Sequence, residues 1–209
     1  MMLPTHALGG MALALPLLTV APEFAGIGLV AGLFGGIFPD LDMYVGHRKT
    51  LHYPVYYSVL AIGMALVAAF VPTAIGIGIA FFLLGASIHS VSDILGGGLE
   101  LRPWESTSNR AVYDHHNSKW IAPRRWIRYD GSPEDLLLSV TIAALLLVSI
   151  KGVFNWLILS TLTVAAGYTA LRRILPDVAV LLVQILPTPL LAHVPARYLS
   201  DPSDRSTAR

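Results

Sequence analysis

Long apolar runs separated by short polar stretches dominate the chain. No convincing alternation of apolar and polar residues predicts a strand. With about 20 residues needed for a helix to cross a bilayer, the runs predict helices near 7–21, 24–38, 53–71, 73–96, 134–150 and 153–171. The pattern therefore predicts an all-α, polytopic membrane bundle of about six transmembrane or partly spanning helices. The first two are short and rich in glycine, so a hairpin that enters the membrane only partway is an alternative for them.

The remaining segments complete one predicted domain, residues 1–199. A long polar loop, residues 97–133, separates the fourth and fifth helices. After the sixth helix, Pro187 and Pro189 interrupt the apolar segment 174–196, which suggests that it lies at the membrane interface. The polar tail 200–209 is predicted to be disordered.

The composition supports a membrane protein and limits its metal chemistry. The chain is 55% hydrophobic and 13% charged, where soluble domains carry about 25% charged residues. Its mean hydropathy is +0.64. Because the chain has no cysteine, a metal ion would have to bind to His, Asp and Glu side chains.

Basic residues predict the orientation of the chain. Of 14 Lys and Arg residues, Lys151 alone falls on the side opposite the N-terminus. Since positively charged loops stay in the cytoplasm, we expect an inner (cytoplasmic) membrane protein with both termini and the polar loop 97–133 in the cytoplasm. The last three arginines change side if the segment 174–196 crosses the membrane.

Candidate metal ligands fall at the ends of predicted helices, on the same side of the membrane. Helix ends of a bundle can converge on one metal site. His89 and Asp93 are four residues apart, so they project from one helix face, and ionisable residues inside a membrane segment usually have a function. The candidates are His6, Asp40, Asp42, His47, His52, His89 and Asp93.

The residue types suit a transition metal, either catalytic or structural. Imidazole and carboxylate ligands without thiolate favour Zn²⁺, with Mn²⁺ or Fe²⁺ as alternatives, and the number of ligands leaves room for two ions. Asp42 is a candidate for catalysis as well as for metal binding, and Arg48 for stabilising developing negative charge. The alternatives are a solvated turn at Asp40 and Asp42, and a simple His89–Asp93 pair.

The loop 97–133 offers two more candidates, His115 and His116, followed by tryptophans and basic residues. Trp with Arg and Lys is typical of a membrane interface, where cations meet lipid phosphates. The alternative is a lid over the metal site, with His115 or His116 as a general acid or an extra ligand. We expect no specific nucleic acid partner, because anionic lipid would compete for the same cations.

Four motifs, spread over about residues 3–105, carry a resemblance: "LPTHALGG", "GIFPDLD", "GHRKTLHYP" and "HSVSDILGGGLELRPW". In this order they resemble the YdjM-like family of membrane-bound, metal-dependent hydrolases. That family is described as inner-membrane hydrolases, some under control of the LexA repressor, with distant similarity to zinc-dependent phospholipase C and P1-type nucleases. The chain departs from the family's usual "THS" by reading "LHYP" at residues 51–54, and residues from 106 onward do not align with the pattern.

The resemblance implies phosphoester hydrolysis and a ligand set. On the matching positions the ligands are His6, Asp40, His52, His89 and Asp93, with Asp42 and His47 next. We therefore expect a membrane-bound metal-dependent hydrolase that acts on a phosphate ester, lipid or lipid-associated, with membrane lipids around it. The alternative is a non-catalytic metal or proton transporter, or a regulatory scaffold with a structural metal. The sequence gives no indication of an oligomeric state.

Overall fold

The computed structural model describes residues 1–191 together with Val194 and Leu199. The predicted disordered tail, 200–209, lies outside the described residues. One short antiparallel hairpin, β1 (Val112–Asp114) and β2 (Lys119–Ile121), accompanies the helices. The helices are α1 (Leu3–Ala12), α2 (Leu17–Val20), α3 (Pro22–Ile37), α4 (Pro54–Phe70), α5 (Ala74–Ser92), α6 (Pro133–Ser149), α7 (Val153–Leu171), α8 (Leu175–Gln184) and α9 (Thr188–Leu191).

Within the described residues, four segments are long and apolar enough to cross a membrane. They are Leu3–Val20, Pro22–Asp42, Ala74–Leu95 and Val153–Leu171. The helical membrane character predicted from the sequence agrees with this result, and the first two predicted helices are among the four. Six spans are not confirmed, because α4 and α6 each have only 17 residues.

Glycines let α1, α3 and α5 pack closely around the centre of the protein. A Cβ atom at Gly32 would collide with the carbonyl oxygen of Gly10, and one at Gly36 would collide with the carbonyl oxygen of His6. Small residues in register are how membrane helices approach at short distance. This packing brings the start of α1 against the end of α3, where candidate ligands lie.

Local signals fix where the helices around the site begin and end. Thr73 caps α5 by accepting a hydrogen bond from the Gly76 amide at 3.0 Å, as N-cap threonines do. The end of α3 tightens into a 3₁₀ turn, Phe38–Asp42, which contains Pro39 and carries Asp40 and Asp42. Both carboxylates therefore lie beyond the last turn of α3.

A buried carboxylate ties α6 to α1. Asp135, in the first turn of α6, accepts hydrogen bonds from the Thr5 hydroxyl at 2.6 Å and the Met2 amide at 2.7 Å. These bonds hold the start of α1 in place and, with it, His6.

The hairpin is a small departure from the all-α prediction in a chain whose described residues are mostly helical. Its strands pair Val112 with Ile121 and Asp114 with Lys119. Three-residue strands are too short for an alternating pattern to stand out. In the turn between the strands, Asp114 accepts hydrogen bonds from the side-chain amide of Asn117 and from the backbone N–H groups of His116 and Asn117, as aspartates do in turns. The Asn117 bond lowers the pKa of Asp114.

Candidate metal centre

Four of the predicted ligands meet at the ends of α3 and α5. Asp40 comes from the 3₁₀ turn, His52 from the residues before α4, His89 from the last turn of α5, and Asp93 directly follows α5. Each offers one ligand atom, and all four atoms lie within 4.8 Å of one another. Positions separated by more than 50 residues in sequence are thus joined in one cluster, which we call the metal cluster.

The spacing of these atoms matches a small coordination sphere. Nε2 of His89 lies 3.4 Å from Asp40 Oδ1 and 3.6 Å from Asp93 Oδ2. Nε2 of His52 lies 3.7 Å and 3.5 Å from the same two oxygens. Ligands about 2.0–2.2 Å from a tetrahedral ion lie roughly 3.3–3.6 Å apart. The four histidine–carboxylate distances lie within about 0.1 Å of this range, and no pair of ligand atoms is more than 4.8 Å apart.

Hydrogen bonds do not explain the arrangement. His89 Nδ1 donates to the Gly36 carbonyl at 2.6 Å, and His52 Nδ1 lies 3.0 Å from Asp42 Oδ2. A carbonyl and a carboxylate only accept, so both Nδ1 atoms carry protons, and each ring in its neutral form has its lone pair on Nε2. Both Nε2 atoms are buried and lack a hydrogen-bond partner among the described residues. The two lone pairs face carboxylate oxygens, which a cation between them would stabilise.

Asp42 lies behind the cluster and orients it. One of its oxygens lies 3.0 Å from His47 Nδ1 and accepts from the Arg48 amide at 3.3 Å. The other accepts from His52 Nδ1 and from the Leu51 amide, each at 3.0 Å. A carboxylate that holds the far nitrogen of a metal-binding histidine fixes the ring and its tautomer. The structure thus places Asp42 and His47 beside the four-residue group.

His6 lies at the edge of the metal cluster. Its ring stacks on His89 with 3.7 Å between centroids, and its Nε2 lies 3.0 Å from Asp93 Oδ1. The Met1 ammonium group lies 2.6 Å from the same oxygen. Asp93 therefore meets these two groups with one oxygen and faces the metal cluster with the other.

Arg48 approaches the metal cluster in an unusual backbone conformation. Its φ is 58°, in the left-handed region that non-glycine residues seldom adopt. Its carbonyl accepts from the Tyr113 amide at 2.9 Å, while its amide donates to Asp42. Its buried guanidinium has Nε 3.2 Å from Asp93 Oδ2 and donates through Nη1 to the Gly97 carbonyl at 2.8 Å. The surrounding bonds hold the strained residue in place.

The hairpin histidines do not belong to the four-residue group. His115 Nε2 donates to the Lys49 carbonyl at 2.7 Å, and its ring stacks on Tyr53 at 4.4 Å. His116 is exposed, with its ring 6.5 Å from that of Tyr56. The structure thus places His115 against the loop that carries Arg48. The general acid or ligand roles expected for both stay predictions.

A cavity of about 310 Å³ adjoins the cluster. Asp40, His47 and Arg48 line it from the cluster side. Burial lowers the pKa of His47, against the opposing effect of its hydrogen bond to Asp42.

Glu100 also lines this cavity, and the sequence analysis did not single it out. Both of its carboxylate oxygens are buried without a hydrogen-bond partner among the described residues. Such a carboxylate is costly unless it is protonated or meets a ligand. In the sequence it is a lone acid in a Gly-Leu stretch, "GGGLEL", with no spacing to mark it.

Comparisons with protein-family models, with curated proteins and with solved structures find no match for this chain. The resemblance to the YdjM-like family therefore stays a prediction, and the functional argument depends on the site itself.

Proposed function

We propose that this protein is a membrane-bound hydrolase of phosphate esters that uses one divalent metal ion held by Asp40, His52, His89 and Asp93. The observation that carries the proposal is the pair of buried, unpartnered Nε2 atoms of His52 and His89. Each is aimed at the same two carboxylates by a hydrogen bond on the far side of its ring.

The donor set favours zinc. Two neutral imidazoles and two carboxylates would give an uncharged complex with a divalent ion, and nitrogen and oxygen ligands without thiolate suit Zn²⁺, with Mn²⁺ or Fe²⁺ as alternatives. When bound, such an ion lowers the pKa of a water molecule and polarises the phosphoryl group.

Two residues of the chain would contribute directly to the reaction. Arg48 borders both the metal cluster and the cavity, so its guanidinium is placed to stabilise negative charge that develops on the phosphoryl oxygens. Glu100 faces the same cavity with an unpartnered carboxyl group. Its carboxyl group would donate a proton to the leaving oxygen.

Access to the site favours a catalytic metal over a structural one. Structural zinc sites are closed by four protein ligands, whereas catalytic sites keep a position open, so with four protein ligands the water would take a fifth position on the cavity side. The Asp40 side chain is 13% exposed and borders the cavity.

The position of the metal cluster at the ends of α3 and α5 also supports an enzyme over a transporter, because transporters hold their cargo near the bilayer midplane. From the distribution of basic residues, we propose that the site faces the cytoplasm.

Metal content tests the proposal directly. Full-length protein, purified in detergent, stripped with a chelator and reloaded with Zn²⁺, should hold one equivalent by elemental mass spectrometry. His89→Gln should lose the metal, while His116→Gln, an exposed histidine on the hairpin, should retain it. Hydrolysis of bis(4-nitrophenyl) phosphate and 4-nitrophenyl phosphate is then measured. Metal without hydrolysis of either would indicate a structural site, and no metal would overturn the proposal.

A further inference from the structure

We infer that the substrate is an amphiphile that reaches the metal cluster from within the bilayer, through the cavity along α7. This inference rests on the proposed function and adds the class of substrate and its route. It starts from the shape of the cavity and the chemistry of its two ends.

One face of α7 forms a wall of this cavity. Val164, Tyr168 and Arg172 line it, and their spacing of four residues places them along one stripe of the helix. The stripe runs from an apolar residue to a cationic one. The wall therefore changes from apolar to polar in the direction of the end of α7.

The apolar end lies at the depth of the lipid chains. With its 19 residues, α7 is about 28 Å long, close to the roughly 30 Å of the hydrocarbon core. Val164 precedes the last residue, Leu171, by seven positions, or about 10 Å along the axis. The cavity thus extends well past the headgroup region.

That end is also open to the lipid side. Val164 is 61% exposed, and Leu3, which lines the cavity from the first residue of α1, nearer the end of α7, is 38% exposed. A soluble substrate would gain nothing from an exposed apolar lining at this depth, whereas an alkyl chain would gain about 0.8 kcal/mol for each methylene that it buries. The exposed apolar lining at Val164 is therefore suited to a chain.

The polar end lies at the metal cluster. Asp40, His47 and Arg48 line it. Arg172 and Asp130 line the same cavity and are joined by hydrogen bonds of 2.8 and 3.0 Å, and Tyr168 also donates a hydrogen bond to Asp130. An ester group at the cluster and a chain beside Val164 would match both ends at once.

An adjoining cavity of about 360 Å³ gives room for the rest of such a molecule. It shares His47, Glu100 and Arg172 with the first and continues to Leu175 and Ala179 of α8. A headgroup released at the metal cluster would thus have a way out beside α8, away from the chain.

Photocrosslinking tests the route without depending on turnover. The probe is hexadecylphosphonate with a diazirine near the end of its chain, added to full-length, zinc-loaded protein in lipid nanodiscs. We expect crosslinks concentrated around Leu3 and Val164, competed by unlabelled hexadecylphosphonate and not by methylphosphonate. Val164→Trp, which fills the opening at an exposed position, should reduce them at least about tenfold, the equivalent of two buried methylenes.

A control variant and a measurement of KM complete the test. Val148→Trp, on α6 and 80% exposed, should leave the crosslinks unchanged. Val164→Trp should also raise KM for hexadecyl 4-nitrophenyl phosphate more than KM for bis(4-nitrophenyl) phosphate, whereas Val148→Trp should change neither. Crosslinks spread over all lipid-facing helices, or equal effects of the two variants, would overturn the route. Specific crosslinks without hydrolysis of either ester would support the route and overturn the proposed function.

Discussion

Asp42 Oδ2 and His52 Nδ1 lie 3.0 Å apart, and this contact decides which nitrogen of His52 faces the metal cluster. The carboxylate can only accept, so the proton is on Nδ1 and the lone pair is on Nε2. Asp42 therefore affects the metal cluster through the ring that it holds, whereas Asp40 offers an oxygen to the cluster itself.

This division of roles gives the first prediction. Asp42→Asn should weaken zinc binding by about 10- to 100-fold, as expected for loss of a carboxylate behind a ligating histidine, and Asp40→Asn should weaken it further. Zinc titration against a competing chelator measures both affinities. Equal losses in the two variants would place Asp42 in the coordination sphere, and no loss in Asp42→Asn would remove its orienting role.

Much of the site could be predicted from the sequence because its residues lie at helix ends. His89 and Asp93 share a helix face by their spacing alone, and Asp40 and His52 flank predicted helices on the same membrane side. The sequence could not separate ligands from their supports, since Asp42 differs from Asp40 only in what its oxygens contact. That distinction depends on the 3₁₀ turn and on the loop before α4.

Other features of the site could not be predicted from the sequence, for physical reasons. The Gly36 carbonyl, which holds His89, carries no side-chain signal. Glu100 enters the cavity because the segment after α5 packs there, which is a tertiary effect. Helices α3 to α7 were predicted to within about four residues, because a long apolar run has few alternatives to a helix in a membrane. The first predicted helix, 7–21, is instead divided into α1 and α2 and begins four residues earlier.

The close approach of α1 and α3 leads to the second prediction. A methyl group at Gly36 would collide with the His6 carbonyl, so Gly36→Ala should destabilise the protein by about 1–3 kcal/mol, as overpacking does. It should also weaken zinc binding by displacing the carbonyl that holds His89. Thermal unfolding in detergent and zinc titration report the two effects. Gly167→Ala is the control, because no atom lies within 4 Å of the added methyl group.

The hairpin provides a third prediction from two adjacent histidines. His115→Ala removes the hydrogen bond to Lys49 and the stacking on Tyr53, so it should loosen the loop that carries Arg48 and lower kcat. His116→Ala, at an exposed position, should leave kcat near that of the wild type. Metal content and kcat are measured for both. A large loss of kcat in His116→Ala, with metal retained, would instead support its role as a general acid.

Orientation in the membrane can be tested because the chain has no cysteine of its own. Single cysteines at Asn109, in the polar loop, and at Lys151, between α6 and α7, are both at exposed positions. In intact cells a membrane-impermeant maleimide should label Lys151→Cys, and should label Asn109→Cys only after permeabilisation. The reverse pattern would place the polar loop outside the cell. Labelling of both in permeabilised cells serves as the control for reactivity.

The last prediction concerns Glu100. The effect of replacing a proton donor depends on the leaving group, whereas the effect of replacing a residue that only supports the metal does not. A proton donor matters for a poor leaving group and little for 4-nitrophenolate, which departs without protonation. Glu100→Gln should therefore lower kcat for an alkyl phosphate ester by about 10²- to 10⁴-fold, with a much smaller loss for bis(4-nitrophenyl) phosphate. Zinc content should be unchanged, since Glu100 lies outside the four-residue group. Equal losses on both esters, or loss of zinc, would show that Glu100 supports the site without donating the proton.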